Sequence, residues 1–353
     1  MRIGIIGASS QVGSSLAFFF KKFTTEQITC FIRSSYSDIF FDILEIPYKQ
    51  ININNKKELK EILKDFDVIV DFTYPTGQIY SIPQTIKNNI ANIISSMPAD
   101  SAYIYMSSIM AFGMPSDRKY VKDFFISRTA YGYIKRLAEK ATKKFGKRYH
   151  VRTYNFRLGQ VHGFLQSVNS SFREKLTQEK VAYIDGNPYE LTNTIFISSI
   201  ASAIIKCTKN IEVPGTYTLV SNPQWTLEEL YNYYRDYYNI NTFIEFIPAE
   251  AAPKKLSIRK FIFNILKSFR YLLEIYVLMK LPFVSLKVKG KYREKTVRDI
   301  ISEKDAVKYI DFNFLGSTPD EKISEIDSEK HTIFNIEREC DAFYNEIIIK
   351  KTV

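Results

Sequence analysis

A chain of 353 residues that is 45% hydrophobic and 25% charged has room for one large or two modest domains, and its composition excludes disordered and fibrous classes. Its 24 tyrosines and 27 phenylalanines, against 13 glycines and 12 prolines, demand a sizeable core with few interruptions. The net charge of +11 is uneven: residues 254–295 carry twelve Lys or Arg and two Glu, whereas residues 296–353 carry eight basic and thirteen acidic side chains.

Cys30, Cys207 and Cys340 are odd in number and widely spaced. Neither a disulfide framework nor a metal site is expected from them, and a reducing, cytoplasmic setting fits. The first eight residues read as a buried strand rather than a leader segment. No window of 18 uncharged apolar residues occurs, so no membrane-spanning helix is expected.

In chain order, apolar runs alternate with stretches of helical period: 3–6 then 11–23, 28–32, 67–72 then 83–97, and 102–106 then 131–145. Further elements are expected at 151–156, 194–205, 215–220 and 225–238. This alternation is that of an α/β protein with a parallel sheet and crossover helices. It ends near residue 250, which divides the chain into an α/β part over 1–250, a basic helical segment over 251–295 and an acidic, mostly helical tail over 296–353 to which no role is assigned.

Between the first strand and the first helix stands Gly7-Ala8-Ser9-Ser10-Gln11-Val12-Gly13, where a dinucleotide pyrophosphate meets free helix N–H groups. Gly7 and Gly13 suit the turn and the close approach, whereas Ser10 replaces a middle glycine. The second strand runs into Arg33-Ser34-Ser35 with no carboxylate at its end. A guanidinium beside hydroxyls suits a 2′-phosphate, so NADP is favoured over NAD; a solvated loop arginine is the plainer alternative.

Tyr131 and Lys135 stand four apart and share one helix face. An ammonium stabilises a nearby phenolate, bringing tyrosine toward acid–base work from its ordinary value of about 10. Spacing alone is a weak signal, since Tyr276 and Lys280 repeat it. Context separates the two pairs: the apolar strand at 102–106 runs into Ser107-Ser108, and a serine at a strand's carboxyl end lies where parallel α/β sheets bind ligands.

With these pieces in order, residues 1–245 resemble the extended short-chain dehydrogenase/reductase family, which includes nucleotide-sugar epimerases, dehydratases and reductases. The resemblance rests on the glycine loop, the strand at 67–72 with Thr73 and Tyr74, Ser107-Ser108 through Gly113, Tyr131-x-x-x-Lys135, Arg157-Leu158-Gly159-Gln160-Val161-His162-Gly163 and Thr226-Leu227-Glu228-Glu229-Leu230. It implies a doubly wound (Rossmann) sheet with a smaller substrate-binding part. It also implies hydride transfer with Tyr131 as acid/base, Lys135 as its cation and ribose contact, and Ser108 as the hydroxyl that orients the substrate oxygen.

By the same resemblance, Gly7, Ser9, Ser10, Gln11, Val12, Gly13, Phe72, Thr73, Tyr131, Lys135, Leu158 and Gly159 contact the cofactor and Gln160 faces a sugar-based substrate, and the chemistry of Arg33 and Ser34 adds these two to the expected cofactor contacts. Bulky Thr73 and Tyr74 stand where the family has small residues. Ile109-Met110 replaces the Asp-Glu pair of the dehydratases, which leaves epimerisation or ketone reduction of a nucleotide-activated or lipid-linked sugar. Reduction of a small hydrophobic ketone, and a cofactor-binding sensor or scaffold without turnover, remain as alternatives.

His150 and His331 have no metal-ligand spacing and read as surface or capping residues, His162 as a packed residue or a substrate contact, and Trp225 as a packed one. Over 257–282 a wide apolar face edged with basic residues fits an anionic membrane surface on the cytoplasmic side. A core-packed or homodimer-forming helix is the alternative there, and nucleic acid is not expected.

Overall fold

The computed structural model describes residues 1–34, 38–75, 82–112, 130–163, 165–177, 180–209, 213–221 and 224–247, together with six residues between 338 and 346. The basic segment over 257–282, His331 and Cys340 lie outside the described residues.

The amino-terminal half alternates strand and helix: β1 (Arg2–Ile6), α1 (Gln11–Phe23), β2 (Gln27–Ile32), α2 (Ile39–Ile43), β3 (Tyr48–Gln50), α3 (Lys56–Leu63), β4 (Val68–Asp71), α4 (Ile82–Ser96), β5 (Ala102–Ser108) and α5 (Ala130–Tyr149). There follow β6 (Arg152–Leu158), β7 (Gln160–His162), α6 (Ser167–Thr177), β8 (Val181–Asp185), β9 (Thr194–Phe196), α7 (Ile197–Thr208), β10 (Gly215–Leu219), α8 (Leu227–Tyr237) and β11 (Phe243–Ile247). The stretch expected at 194–205 is two elements, because the chain turns from strand to helix at Phe196.

Seven strands form one sheet in the order β10-β6-β5-β4-β1-β2-β3, and every pair in it is parallel. The chain winds outward from β1 in both directions, so the fold is the doubly wound Rossmann type. The order reverses between β1 and β4, and ligands of such sheets bind beyond the carboxyl ends of the strands at that point.

Side chains along a strand alternate between faces, and both faces are covered here. Val68 and Val70 join the core that packs under α1, α7 and α8, whereas Ile69 joins the core under α3, α4 and α5. Tyr103 and Tyr105 also point into the second core, between Ile104 and Met106 of the first. Two short parallel pairs, β8 with β11 and β7 with β9, lie outside the main sheet.

Trp225 is buried against Phe196 and Tyr233. Thr226 caps α8 reciprocally with Glu229, which explains why that helix starts where it does. Near the carboxyl end of the chain, Arg338 donates to the Asp236 carbonyl at 2.8 Å and Glu339 pairs with Lys22 at 3.7 Å. Among the described residues, no helix is long and apolar enough to cross a membrane, and no group of His, Cys, Asp or Glu is assembled to hold a metal ion.

Candidate active site

The glycine loop closes at the switch point. Gly7 adopts φ +74°, a conformation that side chains disfavour, and donates to the Phe31 carbonyl at 3.2 Å. A Cβ added to Gly13 would lie 2.8 Å from the Gly7 carbonyl oxygen, so α1 crosses the loop at a distance only glycine permits. Ser10, in extended conformation, does what a glycine cannot: it is the N-cap of α1, and its Oγ accepts the Gly13 amide at 3.2 Å.

No acidic residue stands in the first turn of α1, which keeps the positive end of the helix uncompensated. Ser9 and Gln11 are exposed, and Val12 is half-buried. This arrangement fits a dinucleotide pyrophosphate. Arg33 is exposed and Ser34 half-buried just past β2, and Gln50 Nε2 donates to the Arg33 carbonyl at 3.0 Å, which ties the turn to β3.

The second part of the site lies at the carboxyl ends of β5 and β6, where Ser108 pairs in register with Leu158. Ser108 Oγ accepts the Met110 amide at 3.2 Å, which shapes the tight turn at Ile109–Phe112. From α5, Lys135 is buried and its Nζ donates to the Met106 carbonyl at 2.7 Å. The same ammonium lies 5.7 Å from the Tyr131 ring centre, 5.8 Å from that of Tyr74 and 4.8 Å from that of Tyr105. Tyr131 is 40% exposed, so its lysine is fixed in the interior while its own ring reaches the surface.

Tyr74 stacks beside Tyr131 with ring centres 5.5 Å apart. Burial and the neighbouring Tyr131 raise the Tyr74 hydroxyl above the ordinary tyrosine value, which keeps it a neutral wall. Phe72 and Thr73 are half-buried next to it. Gly159 follows β6 and donates to the Leu219 carbonyl at 3.0 Å, and the Gln160 amide donates to Asn193 O at 3.0 Å, so both are pinned by main-chain bonds.

Several buried groups beneath this site were not expected from sequence. Glu139, one turn beyond Lys135 on α5, accepts from Ser107 Oγ at 2.7 Å, from Arg157 through two bonds of 2.8 and 2.7 Å, and from Arg136 at 3.2 Å. Burial pushes the Glu139 carboxyl up, yet Arg157, Ser107 and Arg136 outweigh it and hold the group below the ordinary glutamate value. Its signal in the sequence was its place four residues after Lys135 on the same face.

Asp71 ends β4 fully buried, accepting from the Tyr103 hydroxyl and from the Thr73 amide at 2.7 Å. Burial raises its carboxyl despite these bonds. Its only signal was one carboxylate in an apolar strand. His162 is buried, with Nδ1 2.6 Å from the Tyr234 hydroxyl, and burial pushes it down to about 3, so the ring is neutral. His150 is exposed at the end of α5 with φ +56°.

A glycine loop and a Tyr–Lys pair thus meet beyond the carboxyl ends of a parallel sheet, and residues 3–217 match the NAD dependent epimerase/dehydratase family. The chain belongs to that family, an enzyme of the extended short-chain dehydrogenase/reductase type.

Solved structures with the same fold include the UDP-glucuronic acid 4-epimerase from Bacillus cereus in complex with UDP-glucuronic acid and NAD, at 17% identity, 70% of this chain, 87% of that one and TM-score 0.52. The UDP-N-acetylglucosamine 4-epimerase from Methanobrevibacter ruminantium M1 matches at 14% identity over 78% of this chain and 98% of that one, with TM-score 0.55. The dTDP-glucose 4,6-dehydratase from Bacillus anthracis, in complex with NAD, matches at 16% identity over 70% and 85%, with TM-score 0.52. At these identities the likeness shows the fold alone. No relative was found among curated protein sequences.

Proposed function

We propose that this protein is an NAD(P)-dependent epimerase or reductase that acts at a secondary alcohol or ketone of a nucleotide-activated sugar. The observation that carries this reading is the fixed Tyr131–Lys135 pair: one ammonium, anchored by the Met106 carbonyl, beside a surface-reaching phenol at the carboxyl end of β5. Several solved structures of this fold are described with UDP-linked sugars or NAD, which supports the substrate class and the cofactor.

When bound, the nicotinamide supplies hydride acceptance and return. The chain's own residues do the rest. As phenolate, Tyr131 takes the proton of the substrate alcohol while the hydride leaves, and as phenol it returns that proton to the oxygen of the ketone being reduced; the Lys135 charge stabilises the phenolate form. Ser108 Oγ orients the reacting oxygen, and Gln160 faces the sugar. Gly7 to Gly13 and the first turn of α1 hold the pyrophosphate, and Phe72, Thr73, Leu158 and Gly159 line the cofactor's path.

Arg33 and Ser34 favour NADP through a bidentate contact with a 2′-phosphate. Residues 257–282, rich in Lys and Arg beside apolar side chains, bring the enzyme to an anionic membrane surface.

The deciding experiment is to identify the cofactor that co-purifies, titrate with NAD(H) and NADP(H), and screen UDP- and dTDP-sugars for interconversion. Retained cofactor with epimer formation supports an epimerase, and exchangeable NADPH with net reduction supports a reductase. Absence of cofactor binding refutes both.

A further inference from the structure

Lys135 carries an ammonium into the interior at 5% exposure, where a charge requires an opposite charge or a full set of hydrogen bonds. The Met106 carbonyl occupies one of its three donors. Among the described residues no carboxylate lies within ion-pair distance of Nζ. Glu139, one turn away, is taken up by Arg157 and Arg136. The remaining buried carboxylate is Asp71.

Asp71 lies on the same side of the sheet as the Tyr–Lys pair. It is the register partner of Tyr105, whose ring lies 4.8 Å from the Lys135 ammonium and whose buried hydroxyl has no hydrogen-bond partner. The carboxylate is clamped by the Tyr103 hydroxyl and the Thr73 amide. The titratable and charged groups that face it are Tyr103 and Tyr105 of β5 and Lys135 of α5, and Tyr105 in turn faces Tyr131, Glu139 and Tyr74. On β1 its register partner is Ile6, and α4 brings Ile82, Ile86 and Ile90 to this layer. With Glu139 matched by its two arginines, the charge left facing Lys135 is that of Asp71.

We propose that Asp71 is the counter-charge of the Tyr131–Lys135 pair, a positioning residue that does not touch substrate but balances the Lys135 field acting on Tyr131. The proposal deepens the functional reading above and rests on it for its catalytic meaning. With the Asp71 charge removed, the field of Lys135 acts on Tyr131 without compensation, and the phenolate forms at lower pH.

Ultraviolet tyrosinate absorbance tests this without substrate or cofactor. The difference between a protein and its Tyr131→Phe counterpart follows one phenol among 24. In the Asp71→Asn background that difference signal reaches its midpoint about one pH unit lower than in the wild-type background. Tyr103→Phe removes the hydroxyl on Asp71 but keeps the charge, and it leaves the midpoint in place.

A carboxylate with a purely structural role gives equal behaviour in the two variants, whether both shift or neither does, and either result overturns the proposal. If Asp71→Asn fails to fold, the double variant Asp71→Leu/Tyr103→Phe replaces both partners by apolar groups and carries the same test. Turnover of Tyr131→Phe is read separately: retained turnover refutes the functional reading, while the titration still decides the role of Asp71.

Discussion

Arg157 and Glu139 face each other across the interior in a two-pronged ion pair, Nε to Oε1 at 2.8 Å and Nη2 to Oε2 at 2.7 Å. The pair fastens the middle of α5 to β6, and Ser107 Oγ joins it from β5. The helix that carries Tyr131 and Lys135 is thereby clamped to the strand ends that carry Ser108 and Leu158.

Removing one member of this pair strands the other charge. Glu139→Gln is expected to lower stability by about 3–5 kcal/mol, read as a fall in the urea midpoint. Because the folded-state carboxyl is held below its ordinary value, its contribution is complete above the unfolded value of about 4.3 and is lost as pH falls through the lower folded value. The gap between the two proteins therefore narrows in acid, and a gap independent of pH contradicts the assignment.

For Tyr131 the expectation concerns chemistry rather than folding. Tyr131→Phe should lower kcat by about 10²–10⁴-fold while cofactor affinity stays nearly unchanged, since the ring is kept and only the proton carrier is lost. Steady-state turnover beside a nicotinamide fluorescence titration gives both values. Turnover within twofold of wild type rules Tyr131 out as the acid/base.

Cofactor choice is tested at Arg33. Arg33→Ala should weaken NADP(H) by about tenfold or more, as loss of a charge-assisted bidentate contact implies, and leave NAD(H) within about twofold. Equal losses for the two cofactors mean that the guanidinium does not bind a 2′-phosphate.

The loop itself is tested at Gly13. In Gly13→Ala the new methyl meets the Gly7 carbonyl oxygen, which is backbone and has little freedom to give way. Both cofactors should bind at least about tenfold more weakly, a loss of about 1.4 kcal/mol or more. Unchanged affinity in calorimetry means that the pyrophosphate does not bind against this crossing.

Acid sensitivity should also arise from His162. Its folded value of about 3 lies far below the unfolded value of about 6.5, so stability is full above 6.5 and falls as pH drops toward 3. Urea midpoints measured from pH 7 to pH 4 should decline more steeply for wild type than for His162→Phe, which has no proton to take up. Parallel curves would show that the ring is charged or solvated in the folded state.

The fold was legible because its signals are local. The runs at 3–6, 67–72 and 102–106 are short and apolar because their strands are buried on both faces, and helices α1 and α8 begin at residues suited to capping, Ser10 and Thr226. The elements α2, β3, α3, β7, α6, β8 and β11 were missed: most are three to five residues long, β3 has no buried residue to mark it, and α6 buries only Leu176.

Much of the site was legible for the same reason. Gly7 and Gly13 stand in a loop, and Tyr131 and Lys135 share a helix turn. Asp71 was not, since nothing in a four-residue strand reveals that Tyr103, 32 positions later, will hold its carboxylate. Arg157 was visible as part of a motif, but its partner Glu139 comes from another element and becomes apparent only once α5 lies on β6.

The contacts of Arg338 with the Asp236 carbonyl and of Glu339 with Lys22 tie residues near the carboxyl end to two helices of the α/β body. Arg338 anchors on α8, the helix just before β11. The second anchor falls on Lys22, in the last turn of α1. The carboxyl-terminal residues thereby touch the helix whose opposite end meets the glycine loop, so charge at Glu339 and cofactor at Gly13 act on the two ends of one rigid element.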